Sequence, residues 1–168
     1  IPVYNEELYI KNCINSFINQ SHKPDQILIV NDNSTDNTEN ILKKYSKKFS
    51  FIKYVNKKSI NKPSPGKKII QAFNYGLKHS INDYDLIGKF DGDIILPDNY
   101  LYTIMNDFMQ NKKLGLCSGV IANKKNNSWN VENRYNNDHA RGAIKLYSRK
   151  CFNKIGGLNE TMGWDTLD

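Results

Sequence analysis

Residues 26–36 read QILIVNDNSTD and decide the fold. The apolar run from Ile27 to Val30 has no polar face, which is typical of a strand buried on both sides in a parallel sheet. The polar residues after Val30 predict a turn, and apolar residues at helical spacing follow it. Because parallel strands need a crossover connection, usually a helix, this unit predicts an α/β domain.

The same alternation continues along the chain in both directions. Strands are predicted at residues 1–4, 51–55, 85–90, 114–121 and 143–147. Helical patterns separate them, with apolar faces at 10–18, 41–45 and 69–81, a helix at 100–110 and a short helix after Ser148. An Asn-rich polar loop is expected after Ile121. We therefore expect a doubly wound, mostly parallel central sheet with flanking helices.

The length and composition predict one folded domain, residues 1–168. The chain is 39% hydrophobic, and none of its apolar runs approaches the roughly 20 residues that cross a bilayer. It begins at Ile1 without a methionine, apparently inside a strand, and stops at Asp168 inside a motif. We expect it to be a piece of a longer protein, truncated at both ends.

The basic charge invites a nucleic-acid hypothesis that the residue types do not favour. The 24 basic residues outnumber the 17 acidic ones, giving a net charge of +7, but only three of them are arginine. The lysine pairs are scattered, which is typical of a solvated surface, and Arg-led base readout is missing. The three cysteines lack metal-site or disulfide spacing and fit a reducing cytoplasm.

The strongest local signal is Asp91-Gly92-Asp93, directly after the predicted strand 85–90. Two carboxylates one residue apart, with a glycine between them, suit a hard divalent cation that also holds phosphates. Polar clusters also follow Tyr4 and Val30, and the carboxyl ends of parallel strands are where such sheets bind ligands. A dehydrogenase of the Rossmann type and a P-loop enzyme are unlikely, because neither glycine motif is present.

The turn after Val30 contains two carboxylates for which we expect different roles. Asp36 can cap the helix that follows, and we assign it mainly to capping. We expect Asp32 to contact the ligand. Asn33 is expected to adopt a left-handed conformation, which asparagine tolerates better than most residues.

Four segments together resemble the family 2 glycosyltransferases, inverting enzymes on the A-type nucleotide-diphospho-sugar transferase fold. They are IPVYNEE at 1–7, VNDNSTD at 30–36, DGD at 91–93 and GGLNE at 156–160. Each segment is permissive alone, but they occur in the order of the family and cover nearly the whole chain. The sequence departs from the family pattern at Asn31, Asn33, Phe73 and Trp164.

The resemblance implies a donor site and its residues. The base and ribose pocket would be lined by Pro2, Tyr4 and Glu6, with Asp32 bonding the base. The diphosphate would meet Asp91, Gly92 and Asp93, with Asp93 as the direct ligand of Mn²⁺ or Mg²⁺. The helix that begins near Gly66 would also face the donor, through Lys67, Lys68 and Asn74.

The resemblance also implies a catalytic carboxylate and an acceptor side. Asp165 is the candidate general base, and Asp168 remains a rival because Trp164 stands where the family usually has glutamate. We expect the acceptor side to be formed by His139, Arg141, Gly142 and Trp164.

The predicted function is metal-assisted transfer of a sugar from a nucleotide-diphospho-sugar to an acceptor hydroxyl, with inversion. The expected setting is cell-envelope polysaccharide synthesis in the cytoplasm or at the inner face of the plasma membrane, with membrane association through flanking chain. One alternative is a non-catalytic module that binds a nucleotide-sugar or a glycan. Another is a nucleotidyltransferase, although such an enzyme should open with a Gly-rich basic loop. The base, the sugar, the acceptor and the oligomeric state stay open.

Overall fold

The computed structural model describes residues 1–59, 66–126, 128–132, 140–163 and 166. Its elements alternate between strands and helices over the first 118 residues. The strands are β1 Pro2–Val3, β2 Ile27–Asp32, β3 Ile52–Lys57, β4 Leu86–Phe90, β5 Leu116–Ser118, β6 Ala122–Lys125, β7 Ser128–Val131 and β8 Ile144–Ser148. The helices are α1 Ile10–Ile18, α2 Thr38–Lys48, α3 Lys67–Leu77, α4 Tyr100–Gln110 and α5 Arg149–Lys154.

The described strands form one parallel and two antiparallel sheets, the smallest of which is the pair β6 and β7. In the first, β2 lies between β1 and β3 and is parallel to both. In the second, β8 lies between β4 and β5 and is antiparallel to both, so β4 and β5 run in the same direction. The prediction of an α/β fold with a parallel sheet and flanking helices is therefore confirmed, and β4 and β5 pair antiparallel with β8.

Two details differ from the sequence-based prediction. The expected polar loop after Ile121 contains a hairpin of β6 and β7. Seven of its eight strand residues are exposed, so the hairpin has no buried face that could produce an apolar alternation. The third helix ends at Leu77, and Ile81 lies outside it with 40% of its surface exposed.

The core brings the flanking helices close to the sheets. Helix α1 buries Cys13 and Phe17, and the Phe17 ring makes an edge contact with Phe90 at a centroid distance of 5.0 Å. Helix α3 approaches β2 at Gly76, where an added Cβ would lie 2.6 Å from Val30 Cγ2. This close packing holds the last turn of α3 against β2.

None of the helices in the described part of the chain combines the length and the apolar character needed to span a bilayer. Cys13 is fully buried in α1, and all three cysteines are free thiols. Burial raises the pKa of the Cys13 thiol to about 12.

Candidate active site

The predicted D-x-D motif packs against the end of β1. Gly92 is buried, and an added Cβ would lie 2.7 Å from Val3 Cγ1 and 3.4 Å from Glu6 Cγ. Any other residue would force β1 and the loop after β4 apart, because such a short distance leaves no room for a side chain. The glycine therefore lets Asp91 and Asp93 lie next to Glu6, at one edge of the fold.

The pKa of Glu6 is shifted by burial and by the acidic residues around it. Its pKa is raised first by burial and then by the negative charges of Asp93, Asp91 and Asp36. Repulsion of this kind indicates that the carboxylates are close enough to interact, as expected of residues that would share a cation.

Asp91 and Asp93 occupy different environments despite their spacing. The Asp91 carboxylate forms an ion pair with the buried ammonium group of Lys89, and its backbone N–H donates to Ala143 O at 3.0 Å. Asp93 is exposed. Asp91 is thus fixed by the fold, whereas Asp93 is open to a ligand.

The described carboxylates fit a divalent cation only as part of a shared site. Across the described ranges, the structure contains no group of three or more His, Cys, Asp or Glu side chains that could hold a metal ion by themselves. Carboxylate oxygens are suitable for Mg²⁺ or Mn²⁺, and Mg²⁺ in proteins usually keeps waters and substrate phosphates as its remaining ligands. Asp93 and Asp91 would therefore hold the ion together with a phosphate-bearing ligand.

The loop after β1 is tied to the loop after β2 by hydrogen bonds between residues about 30 positions apart. Asn5 has a φ of 54° and contacts the second loop with both its backbone and its side chain. Tyr4, just before it, is 56% exposed. The bonds are Asn5 N to Ser34 Oγ (3.0 Å), Thr35 N to Asn5 Oδ1 (2.8 Å), Glu6 N to Thr38 Oγ1 (2.8 Å), Glu7 N to Asp36 Oδ2 (3.0 Å) and Asn37 N to Glu7 Oε2 (2.8 Å).

Asp36 and Asn33 both contribute to the local structure of this region. The Asp36 carboxylate accepts a hydrogen bond from the Thr38 N–H at 3.0 Å, next to the start of α2, although Asn37 and not Asp36 occupies the cap position. Asn33 has a φ of 66°, in the left-handed region. The turn after β2 is thus built by its own side chains.

Asp32 ends β2 and has two partners that the sequence pattern did not reveal. Lys57 lies opposite Asp32 in the register of β2 and β3, and its Nζ is 3.1 Å from Asp32 Oδ1. Ser59 Oγ donates to the same oxygen. Asp32 Oδ2 has no hydrogen-bond partner in the described part of the chain, so one oxygen of a nearly buried carboxylate remains open to a ligand.

Lys67, Lys68 and Asn74 lie on the side of α3 that faces the end of β3. They line a cavity of about 550 Å³ between the end of β3 and one side of α3, which we name the lysine pocket. Asn74 Nδ2 donates to Glu160 Oε1 at 3.2 Å, which links α3 to the predicted GGLNE segment. The charged residues of the lysine pocket are Lys57, Lys58, Lys67, Lys68, Lys78 and Glu160.

The remaining predicted residues are only partly described. Pro2 lies in β1, paired with Val30. Arg141 forms an ion pair with Glu132, and its backbone N–H donates to Ser118 Oγ at 2.9 Å. Gly142 lies in the turn before β8. His139, Trp164, Asp165 and Asp168 lie outside the described residues.

Comparison with protein families gives a match over nearly the whole chain. The family model described as "Glycosyl transferase family 2" matches residues 1–162. A "Probable glycosyltransferase YdaM" of Bacillus subtilis is 33% identical over 121 residues, which cover 71% of this chain and 28% of that protein. A "Poly-beta-1,6-N-acetyl-D-glucosamine synthase" of Staphylococcus epidermidis is 30% identical over 119 residues, which cover 71% of this chain and 27% of that protein.

Comparison with solved structures supports the fold independently. A mannosyltransferase of Pyrobaculum calidifontis, solved in complex with GDP-Man and Mn²⁺, superposes with a TM-score of 0.71 at 16% identity. The match covers 98% of this chain and 47% of that one. The described chain therefore has the fold of a nucleotide-diphospho-sugar transferase, and it spans about a quarter of the length of the two curated relatives.

Proposed function

The chain belongs to glycosyltransferase family 2, and we propose on this basis that it transfers a sugar from a nucleotide-diphospho-sugar donor to an acceptor hydroxyl. The single observation that carries the proposal is the packing of Gly92 on Val3 and Glu6. This contact joins the D-x-D motif to the loop after β1 at one edge of the fold. An exposed Tyr4 and an exposed Asp93 on that edge leave room for the two ends of a donor.

The donor would lie across the carboxyl ends of the strands. Tyr4 would stack on the base, and the free oxygen of Asp32 would accept an N–H of the base, with Pro2 and Glu6 lining the pocket. The diphosphate would lie beside Asp91, Gly92 and Asp93. This arrangement follows the general placement of ligands in open α/β sheets.

We propose Mn²⁺ or Mg²⁺ as the cofactor, held by Asp93 and steadied by Asp91. When bound, the cation neutralises the charge that develops on the departing diphosphate. Lys89 holds the Asp91 carboxylate in place, whereas the exposed carboxylate of Asp93 can reorient to meet the ion.

The acceptor hydroxyl must lose a proton as it attacks, and we assign this step to Asp165. A positioned general base typically contributes about 10²- to 10⁴-fold in rate. In an inverting displacement the base lies on the face of the sugar opposite the leaving group. Asp168 is the alternative base, and His139, Arg141, Gly142 and Trp164 are the proposed acceptor side.

We further propose that the product belongs to a cell-envelope polysaccharide. The family relative from Staphylococcus epidermidis is named for such a polymer, which supports the proposal. The three free thiols fit a reducing compartment, and we propose the cytoplasm, with flanking chain bringing the domain to the inner face of the membrane.

The proposal is tested by calorimetric titration of UDP, GDP, dTDP and CDP with and without Mn²⁺, in the intact protein and in Asp93→Asn. We expect one nucleotide to bind preferentially, only with metal, and to lose its binding in the variant. If no nucleotide binds under either condition, the donor site is wrong.

Turnover separates an enzyme from a binding module of the same fold. With the preferred donor, release of nucleoside diphosphate should be slowed about 10²- to 10⁴-fold by Asp165→Asn and little changed by Asp168→Asn. The reverse pattern makes Asp168 the base. Metal-dependent donor binding with no turnover in the unaltered protein would identify a non-catalytic module.

A further inference from the structure

The lysine pocket concentrates positive charge beside Asp32, the proposed contact of the donor base. Five lysines line it, against one carboxylate, that of Glu160. Tyr4, Glu6, Asp91 and Asp93 are not among its lining residues. The pocket therefore meets the proposed donor site at Lys57 and Ser59, which contact Asp32, whereas Asp91 and Asp93 are not among its lining residues.

Most of the charge in the pocket is uncompensated. Lys57 is paired with Asp32, but Lys58, Lys67, Lys68 and Lys78 form no ion pair within the described part of the chain. Ammonium groups gathered in one cavity repel each other, and an anion that enters the cavity relieves this repulsion.

Glu160 shows that the pocket stabilises a negative group. Its carboxylate accepts hydrogen bonds from Asn74 Nδ2 and Gln71 Nε2, at 3.2 Å each. These bonds lower the pKa of Glu160, and the positive charges of Lys67 and Lys57 lower it further. Lys67 begins α3 and Lys57 ends β3. The Glu160 carboxylate is therefore stabilised by positive charge from both of the elements that line the pocket.

The pocket is long enough for more than one negative group. Residues 67, 71, 74 and 78 follow the spacing of one helical face, and all four line the cavity. Lys67 and Lys78 lie eleven positions apart, which at a rise of 1.5 Å per residue separates their backbones by about 16 Å. A volume of about 550 Å³ lies within the usual range of ligand pockets.

We propose that the lysine pocket binds a phosphate-bearing chain other than the donor. Lysine is a common partner of phosphate, to which it presents a point charge. Glu160 lies in the GGLNE segment, five positions before Asp165 in the sequence. If the proposed function holds, the phosphate-bearing chain is the acceptor.

The test is titration of inorganic tripolyphosphate into the intact protein in buffer with EDTA, so that metal-dependent donor binding is absent. We expect Lys58→Gln/Lys78→Gln to weaken binding about tenfold, which is about 1.4 kcal/mol. The matched control, Lys43→Gln/Lys44→Gln, removes the same charge from exposed positions on α2 and should change affinity by about twofold at most, since only long-range attraction is lost.

A third variant is expected to bind tripolyphosphate more tightly than the unaltered protein. Glu160→Gln removes the carboxylate that an incoming phosphate must face, and it should tighten tripolyphosphate binding about threefold or more. Equal weakening in the two lysine double variants would reduce the effect to general charge attraction and overturn the proposal. Unchanged affinity in Glu160→Gln would also contradict it.

The donor experiments separate this proposal from the proposed function. Nucleotide binding with Mn²⁺ should be lost in Asp93→Asn and kept in Lys58→Gln/Lys78→Gln, and tripolyphosphate binding should show the opposite pattern. Loss of tripolyphosphate binding in Asp93→Asn would make the pocket part of the donor site and overturn the proposal. If nucleotides never bind but tripolyphosphate binds as expected, the phosphate site stands and the glycosyltransferase assignment fails.

A ten-nucleotide DNA strand tests for a nucleic-acid ligand. If it binds more tightly than tripolyphosphate and with the same dependence on Lys58 and Lys78, the ligand is nucleic acid and the proposal is overturned.

Discussion

Lys89 and Lys145 occupy directly opposite positions of β4 and β8, and each exposes only 1% of its surface. Opposite residues of an antiparallel pair project from the same face, and like charges at such positions are destabilising. Asp91 supplies a negative charge to this pair through its contact with Lys89. The first carboxylate of the D-x-D motif therefore contributes to the fold as well as to the proposed metal site.

Asp91→Asn should lower the free energy of unfolding, whereas Asp93→Asn should not. Removing one partner of a buried ion pair costs about 3–5 kcal/mol. The Asp91 side chain is 35% exposed, so solvent screening reduces the expected loss to about 1–3 kcal/mol. Asp93 is exposed, and its substitution should stay within about 0.5 kcal/mol.

Urea unfolding of both variants at pH 7 without metal measures this difference. Equal losses would contradict the structural role of Asp91. The comparison is also a control for the donor experiments. If Asp93→Asn is as stable as the unaltered protein, a loss of nucleotide binding in this variant cannot be attributed to unfolding.

Gly92→Ala should destabilise the protein because its methyl group would lie 2.7 Å from Val3 Cγ1. Overpacking of a buried contact costs about 1–3 kcal/mol. Val3→Ala removes the opposing methyl groups, so the double variant should lose less stability than the sum of the single ones. Thermal or urea unfolding of the four proteins gives the coupling energy, and a strictly additive result would rule out the clash.

Asp36→Ala should cost about 1 kcal/mol at neutral pH, because the backbone N–H groups of Thr38 and Glu7 lose their acceptor. Partial burial raises the pKa of Asp36. Hydrogen bonds from Thr38 and from the backbone N–H of Glu7 lower it by more, so the pKa lies below its ordinary value of 3.8. A lowered pKa in the folded state contributes stability that is present above 3.8 and is lost as the pH falls through the lower, folded-state value.

The stability difference between the unaltered protein and Asp36→Ala should therefore shrink below about pH 4. Denaturant unfolding from pH 3 to pH 7 follows this change. Asp25→Ala, at an exposed position, is the control for the removal of one aspartate from the surface. A difference that grows on acidification would contradict the assignment.

Cys13 should resist alkylation in the folded protein. Its pKa of about 12 leaves almost no thiolate at pH 8, and the side chain is fully buried. Iodoacetamide labelling read by mass spectrometry should modify Cys13 only in denaturant. Fast labelling under native conditions would mean that α1 opens readily from the sheet.

The sequence predicted those parts of the fold whose signals are local. Helix α4 has the predicted bounds, residues 100–110, because its apolar positions repeat with a helical period and its ends are polar. The positive φ of Asn33 was also predicted, since asparagine tolerates the left-handed region better than most residues. The proximity of Asp91 to Glu6 followed from the rule that strand ends meet at one edge.

The partners of Asp32 were not predictable from local patterns. Lys57 reaches Asp32 because β3 continues for two polar residues past Val55 and pairs in a particular register with β2. Register is a long-range property that no apolar periodicity reveals for polar residues at a strand end. The lysine pocket was missed for a similar reason, since its walls come from three separate segments.

The hydrogen bonds between the loops after β1 and β2 have a consequence for how the chain can change. Because residues 5–7 hold the start of α2 and residues 34–37 hold the backbone around Glu6, neither loop can gain or lose a residue without disturbing the other. An insertion in one loop would break hydrogen bonds at the ends of both β1 and β2. Variation in donor preference should therefore arise from side-chain replacement at these positions, with the lengths of the two loops held constant.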